Sequence, residues 1–230
     1  MRQVFYAHGF ASSPQSSKVR FLRERLNAIG VDLHCPDFNE PDFETLTISR
    51  MIDQLTDAIA HVPAGPVALI GSSLGAFVAI FAAMHPRRET SSTYVRSPSA
   101  STVHPVDRLV LLAPALDFSL KNDKQIGPAA LAGWRDTGSL DVFHYGFGEM
   151  RPVGYGLYAD AQRYDPFHAD LRVPTLIVQG RRDESVDPDM VERFAATRPN
   201  VTLRMVDDDH QLLGSLELIW HETARFLDLA

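Results

Sequence analysis

The sequence predicts an α/β fold, a doubly wound, mostly parallel six-stranded sheet with an insertion set into it. Three observations lead there. Short apolar or β-branched runs recur along the chain, amphipathic helical stretches separate several of them, and Gly or Pro marks many of the joins. With 230 residues, 45% of them hydrophobic, the chain can bury a substantial core without being divided, so one soluble domain over 1–230 is expected.

The first strand is Gln3-Val4-Phe5-Tyr6-Ala7. From Ser17 to Ile29, the residues Val19, Leu22, Leu26 and Ile29 recur near helical spacing with basic residues between them, and Gly30 stops the helix. Val31 to Cys35 is a short second strand. Thr45 to Val62 sets Ile48, Met51, Ile52, Leu55 and Ile59 on one side of a second helix, which Pro63-Ala64-Gly65 ends. Pro66 to Ile70 is the third strand and Ala76 to Met84 the helix after it. Leu109 to Ala113, Pro174 to Gln179 and Val201 to Val206 supply the remaining strands, and Leu212 to Leu227 a docking helix. Right-handed crossovers in such a series put the strands in spatial order 2-1-3-4-5-6, with reactive groups beyond their carboxyl ends.

Two segments stand outside this scaffold. Arg87 to His104 is rich in Ser, Thr, Arg and Pro with little periodicity and reads as a long excursion without chemistry. Residues 119–172 read as a lid or cap insertion: Trp134, Phe143, Tyr145, Phe147, Tyr155 and Tyr158 concentrate aromatic area there, and glycines supply bends. Trp134, Phe143 and Phe147 are candidate walls of an apolar substrate pocket; a satellite core under the lid would use the same residues.

The chemistry centres on Gly71-Ser72-Ser73-Leu74-Gly75, which follows one strand directly and opens a helix. That is the setting of a nucleophile elbow, whose glycines remove Cβ atoms that would collide with strand and helix and leave Ser73 standing exposed. A serine hydroxyl needs a base within hydrogen-bond reach, and the base needs an acceptor to fix its tautomer. Both partners occur beyond later strands: Asp183 is the first carboxylate after the fifth, and His210 follows Asp207-Asp208-Asp209 after the sixth. Singly, Asp183 would pass for a cap or a surface charge and His210 for a solvated loop residue. The order Ser, Asp, His is the one α/β-hydrolases use. Two N–H donors for a developing oxyanion are then expected from Leu74, after the nucleophile, and from Phe10, in the His8-Gly9-Phe10 loop that ends the first strand. His8 and Gly9 are further candidates for substrate contact.

The run His8-Gly9-Phe10-Ala11-Ser12-Ser13-Pro14-Gln15-Ser16-Ser17-Lys18, with the pentapeptide downstream, resembles the small bacterial YqiA/YcfP-type esterase family of the α/β-hydrolase superfamily. That resemblance implies a minimal serine hydrolase that begins at the oxyanion strand, an esterase or thioesterase using Ser73, Asp183 and His210. Hydrolysis through an acyl-Ser73 intermediate is expected to need no metal or organic cofactor. The segment from Ser119 to Arg172 is longer than in the smallest members, which leaves substrate preference the least transferable property. The expected substrates are uncharged or weakly charged esters or thioesters of small-to-medium apolar acyl groups. Carbon–carbon hydrolysis, acyl transfer or peptide cleavage by the same triad stay open, as does a non-catalytic binding module on the same scaffold.

Composition excludes several other classes. The formal net charge of −7 and the absence of a Lys/Arg cluster with interleaved aromatics speak against nucleic-acid binding. Cys35 is the only cysteine, so an intrachain disulfide and a cysteine-based metal site are out. No apolar run approaches the roughly 20 residues a membrane-spanning helix needs. Met1-Arg2 passes straight into the first strand with nothing like an export signal, so a cytoplasmic location is expected. Oligomeric state is left open.

Overall fold

The structure is a computed structural model that describes residues 2–84, 106–118 and 127–229. The excursion expected over 87–104 lies outside them, as does the start of the 119–172 insertion. Six parallel strands form one sheet: β1 (Gln3–Ala7), β2 (Leu33–His34), β3 (Val67–Ser72), β4 (Val106–Leu112), β7 (Thr175–Gly180) and β8 (Val201–Val206). Their order, β2-β1-β3-β4-β7-β8, is the expected one. It puts β1 beside β3 in register, with Phe5 opposite Leu69 and Ala7 opposite Gly71. The loop after β1 and the turn after β3 therefore leave the sheet side by side.

Both faces of the sheet are covered. The odd positions of β1 and β3, Phe5, Val67 and Leu69, pack with α2 (Ile48–Ala60) and α3 (Leu74–Met84). The even positions, Val4, Tyr6, Ala68 and Ile70, pack with α1 (Ser17–Asn27) and α7 (Leu216–Phe226). Burial on two faces explains why the β3 residues are apolar without alternation. Helix α3 is apolar on every side, and all ten residues from Leu74 to Ala83 are buried, which marks it as the central helix of its layer.

Helix ends differ from expectation for local reasons. Helix α2 starts at Ile48 rather than Thr45 because the Thr47 side chain caps it, accepting from Arg50 N–H. The last helix starts at Leu216, after a 3-10 turn over Leu213–Ser215, because Leu212 has φ 55° and cannot be helical. A helix not drawn from the sequence, α6 (Pro188–Ala196), is capped by Asp187 and has Pro188 in its first turn.

Between β4 and β7 the described chain forms α4 (Pro128–Thr137), an antiparallel hairpin of β5 (Ser139–His144) and β6 (Glu149–Gly154), and the short α5 (Gly156–Ala161). The hairpin adds two strands that the sequence reading did not include. Among the described residues no helix is long and apolar enough to cross a membrane.

Candidate active site

The turn from β3 to α3 is made by one residue. β3 ends at Ser72, α3 begins at Leu74, and Ser73 between them has φ 54°, in the left-handed region that costs a residue with a Cβ free energy. The surroundings hold it there: Ser73 N–H donates to Leu112 C=O at 2.9 Å, and its own carbonyl accepts from Ala76 N–H at 3.0 Å and Ala115 N–H at 3.2 Å. The flanking glycines are sterically required. A Cβ on Gly71 would sit 2.6 Å from Ala76 Cα. One on Gly75 would lie 2.5 Å from the His8 carbonyl oxygen and closer still to that of Ala7. Because those are backbone atoms of the central sheet and its loop, Gly75→Ala is expected to cost at least ~3 kcal/mol. Thermal unfolding of the variant checks this; a melting temperature within a degree or two of wild type contradicts it.

Asp183 and His210 reach Ser73 because pairing between β7 and β8 continues past the strands. Arg181 N–H donates to Val206 C=O at 2.8 Å and Arg182 N–H to Asp208 C=O at 3.0 Å. Gly180 permits that approach, since a Cβ there would lie 2.5 Å from Asp208 C=O. His210 Nε2 stands 3.0 Å from Ser73 Oγ, and its Nδ1 2.9 Å from Asp183 Oδ2. The Asp183 side chain is fully buried and that of His210 one-fifth exposed. Burial pushes Asp183 up, but His210, the Val186 N–H and the Gln179 amide all donate to the carboxylate and hold it below the ordinary carboxylate value.

The β1 loop runs against the elbow. A Cβ on Gly9 would be 3.2 Å from Ser72 C=O and 3.4 Å from Ser73 Cβ, so only glycine lets the loop pass this close. Leu74, at the start of α3, has an N–H that the helix itself does not use, at the positive end of its dipole. Phe10 and Gly9 line the same cavity as Ser73 and His210. His8 does not. It is buried, its Nδ1 is 3.0 Å from Gly9 C=O, and its Nε2 accepts from Phe38 N–H at 3.0 Å, so it anchors the loop rather than facing substrate.

That loop is also clamped from the hairpin. Gly146 N–H donates to Ala11 C=O at 3.3 Å, and Asn39 connects buried His144, 2.9 Å from its Oδ1, to Ser12 C=O, 2.9 Å from its Nδ2. These buried polar groups satisfy one another. They also tie the hairpin to the backbone that carries Phe10.

The cavity, about 740 Å³, has a mixed lining of hydroxyl-bearing, cationic and apolar side chains. Of the residues expected as apolar walls, Trp134 is instead core: it is 4% exposed and its indole N–H donates to Val153 C=O. Phe143 and Phe147 are half exposed on the hairpin, Phe143 edge-on to Tyr145 and Phe147 stacked on His144, and neither lines the cavity. The hairpin tip supplies Tyr145 and Gly146 in their place. For Phe143 strand pairing decides this, since it opposes Met150 within the ladder whereas Tyr145 lies past its end, in the turn; Phe147 is in the same turn but is held by its stacking on His144. Lys18 and Arg20, read as polar positions of a helix, also line the cavity; their place in the first turn of a helix lacking acids there was the available signal. Among the described residues no group of His, Cys, Asp and Glu is placed to hold a metal ion.

Residues 3–86 match the uncharacterised protein family UPF0227. No curated protein matches the chain. Among solved structures, one from Agrobacterium vitis S4 is 20% identical with a TM-score of 0.79, the alignment covering 98% of this chain and 87% of the other. Mouse alpha/beta hydrolase domain-containing protein 10 is 18% identical with a TM-score of 0.76, covering 98% and 89%. Est1E from Butyrivibrio proteoclasticus, in its complex with ferulic acid, is 19% identical with a TM-score of 0.75, covering 99% and 90%. At such identities the likeness is one of fold. The chain has the α/β-hydrolase fold, and its N-terminal part carries the sequence pattern of UPF0227.

Proposed function

We propose that the protein is a serine hydrolase that cleaves carboxylic esters or thioesters through an acyl-Ser73 intermediate. The observation that carries this reading is the hydrogen-bonded line from Ser73 Oγ through His210 to Asp183, which starts at a strained elbow and opens on a cavity. His210 Nε2 takes the hydroxyl proton as Ser73 Oγ bonds to the carbonyl carbon, and Asp183 stabilises the resulting imidazolium. The N–H groups of Leu74 and Phe10 hold the oxyanion. The protonated imidazole then gives its proton to the departing alcohol or thiol as the acyl bond breaks. A water molecule, losing a proton to the same nitrogen, attacks the acyl-serine; collapse releases the acid and restores the serine.

Each of these steps is carried by side chains, backbone donors and water, so the proposed mechanism asks for neither metal nor organic cofactor. Residues 119–172 serve as the lid of a single domain, with Tyr145 and Gly146 as the part that meets substrate and a short apolar acyl chain running along Phe10, Tyr145 and Leu213. Incubation with a fluorophosphonate probe, followed by peptide mapping, is expected to place the label on Ser73, together with turnover of short-chain p-nitrophenyl esters. An unlabelled Ser73 in folded protein rejects the proposal.

A further inference from the structure

The described lining of the cavity carries a charge that an ester pocket for neutral substrates does not need. Among the described residues no Asp or Glu lines the cavity, whereas Lys18 and Arg20 both do, in a chain of net charge −7. Arg20 makes no ion pair among the described residues. Lys18 donates to the backbone oxygen of Gln211, next to His210, at 2.8 Å and likewise has no paired carboxylate.

Both cations sit in the first turn of α1, where the helix dipole is already positive. The turn holds no acidic residue, and the Ser16 side chain makes no capping bond. The first backbone bond of the helix runs from Arg20 N–H to Ser16 C=O, which leaves the N–H groups of Ser17, Lys18 and Val19 without a helical acceptor. Burial lowers Lys18 to about 8, against the pull of Asp209, Asp183 and Asp208, so the cation is held in a place that an added negative charge would relieve.

A separate observation comes from the sheet. Tyr6 is 1% exposed, lines the same cavity, and its hydroxyl is buried without a hydrogen-bond partner. The neighbouring Ser72 hydroxyl offsets part of the cost of that burial without closing a bond of normal geometry. A buried phenol that lacks a partner is a donor waiting for an acceptor.

We propose that the α1 wall is an anion subsite, and that the substrate is an ester or thioester bearing a second, ionised oxyacid group, a carboxylate or a phosphate. Lys18, Arg20 and the first N–H groups of α1 hold that group, and Tyr6 Oη donates to it. This rests on the serine-hydrolase reading and replaces the expectation of an uncharged or weakly charged substrate with an anionic one.

The test compares kcat/KM for matched pairs. Ethyl butyrate against monoethyl succinate places a carboxylate on the acyl side. Butyrylglycerol against butyrylglycerol 3-phosphate places a phosphate on the alcohol side. At least one ionised member is expected to exceed its neutral match by tenfold or more, and the pair that responds identifies the anion and its side of the scissile bond. Lys18→Met and Arg20→Gln are each expected to reduce that ratio at least threefold. Arg20 is exposed, so its variant reports even where Lys18→Met disturbs the Gln211 loop. Neutral and ionised members used equally, or a preference that survives both substitutions, overturns the subsite. Fluorophosphonate labelling of Ser73 in the same preparations separates the two failures: a labelled enzyme without anion preference rejects the subsite alone, and an unlabelled one rejects the hydrolase reading beneath it.

Discussion

Ser73→Ala is expected to lower kcat on a short-chain ester by about 10⁴ to 10⁶-fold while leaving the fold intact. The size follows from what the hydroxyl does. Without Oγ no acyl-enzyme forms, and the remaining assistance is that of the oxyanion donors and of substrate positioning, worth about 10³ to 10⁴ over water. The small structural effect follows from the elbow, which is held by the Ser73 backbone through Leu112, Ala76 and Ala115 rather than by its side chain. Alanine at φ 54° bears the same strain as serine. His210→Ala should fall nearly as far, and the double variant little further, because the two residues act as one unit. Multiplying penalties in the double variant, or a Ser73→Ala enzyme within tenfold of wild type, would each contradict the mechanism.

How much of this was legible in the sequence depended on whether the signal was local. The central strands could be read because burial on both faces forces continuous apolar runs, as in Val67 to Ile70, and their order followed from crossover geometry. Gly71 and Gly75 announced the elbow by their spacing around Ser73, although only Gly71 is required by a contact nearby in the chain, Gly75 being required by the backbone of Ala7 and His8 on the neighbouring strand and its loop. The hairpin was obscured: Pro152 stands inside β6, and β5 and β6 bury little on their outer face, so the aromatic and glycine content of 139–156 suggested bends instead of strands. Helix α6 carried a readable start in Asp187-Pro188 but lay between two strands of stronger signal. Trp134 shows the limit of composition. An aromatic in an insertion can face substrate or the core, and what decides here is the Val153 carbonyl that receives its N–H, a tertiary contact. The cations of α1 pose the same difficulty, since Lys18 and Arg20 come to share a cavity with Ser73 only once β1 and β3 lie side by side.

Asp183→Asn tests the least visible part of the site. The carboxylate acts as an acceptor throughout: Oδ1 takes Ser185 N–H at 2.9 Å and Val186 N–H at 2.8 Å, and Oδ2 takes the Gln179 amide and His210 Nδ1, each at 2.9 Å. An asparagine keeps its oxygen on the two backbone donors and turns its NH₂ toward Gln179 and His210. Gln179 can answer by flipping its amide so that Oε1 accepts, at the cost of the 3.2 Å bond that its Nε2 donates to Gly180 C=O. His210 cannot answer without cost. With a donor facing Nδ1, that nitrogen becomes the acceptor and the ring proton moves to Nε2, which then points a hydrogen at Ser73 Oγ and has no lone pair to take the serine proton. The expected result is a loss of about 10⁴ in kcat with KM near wild type, and a modestly lowered melting temperature at neutral pH, where the ionised carboxylate contributes its full stability. Asp183→Ala should instead unfold more easily, by ~3 kcal/mol, because it strands several buried donors at once. The acid limb of the stability curve supplies an independent sign. A carboxyl held below its ordinary value contributes stability that is full above that value and is lost as pH falls through the lowered one, so wild type should weaken in that window and the asparagine variant, with nothing to protonate, should show a flatter profile there. Equal acid slopes in the two proteins would mean that the carboxylate is not held by these bonds.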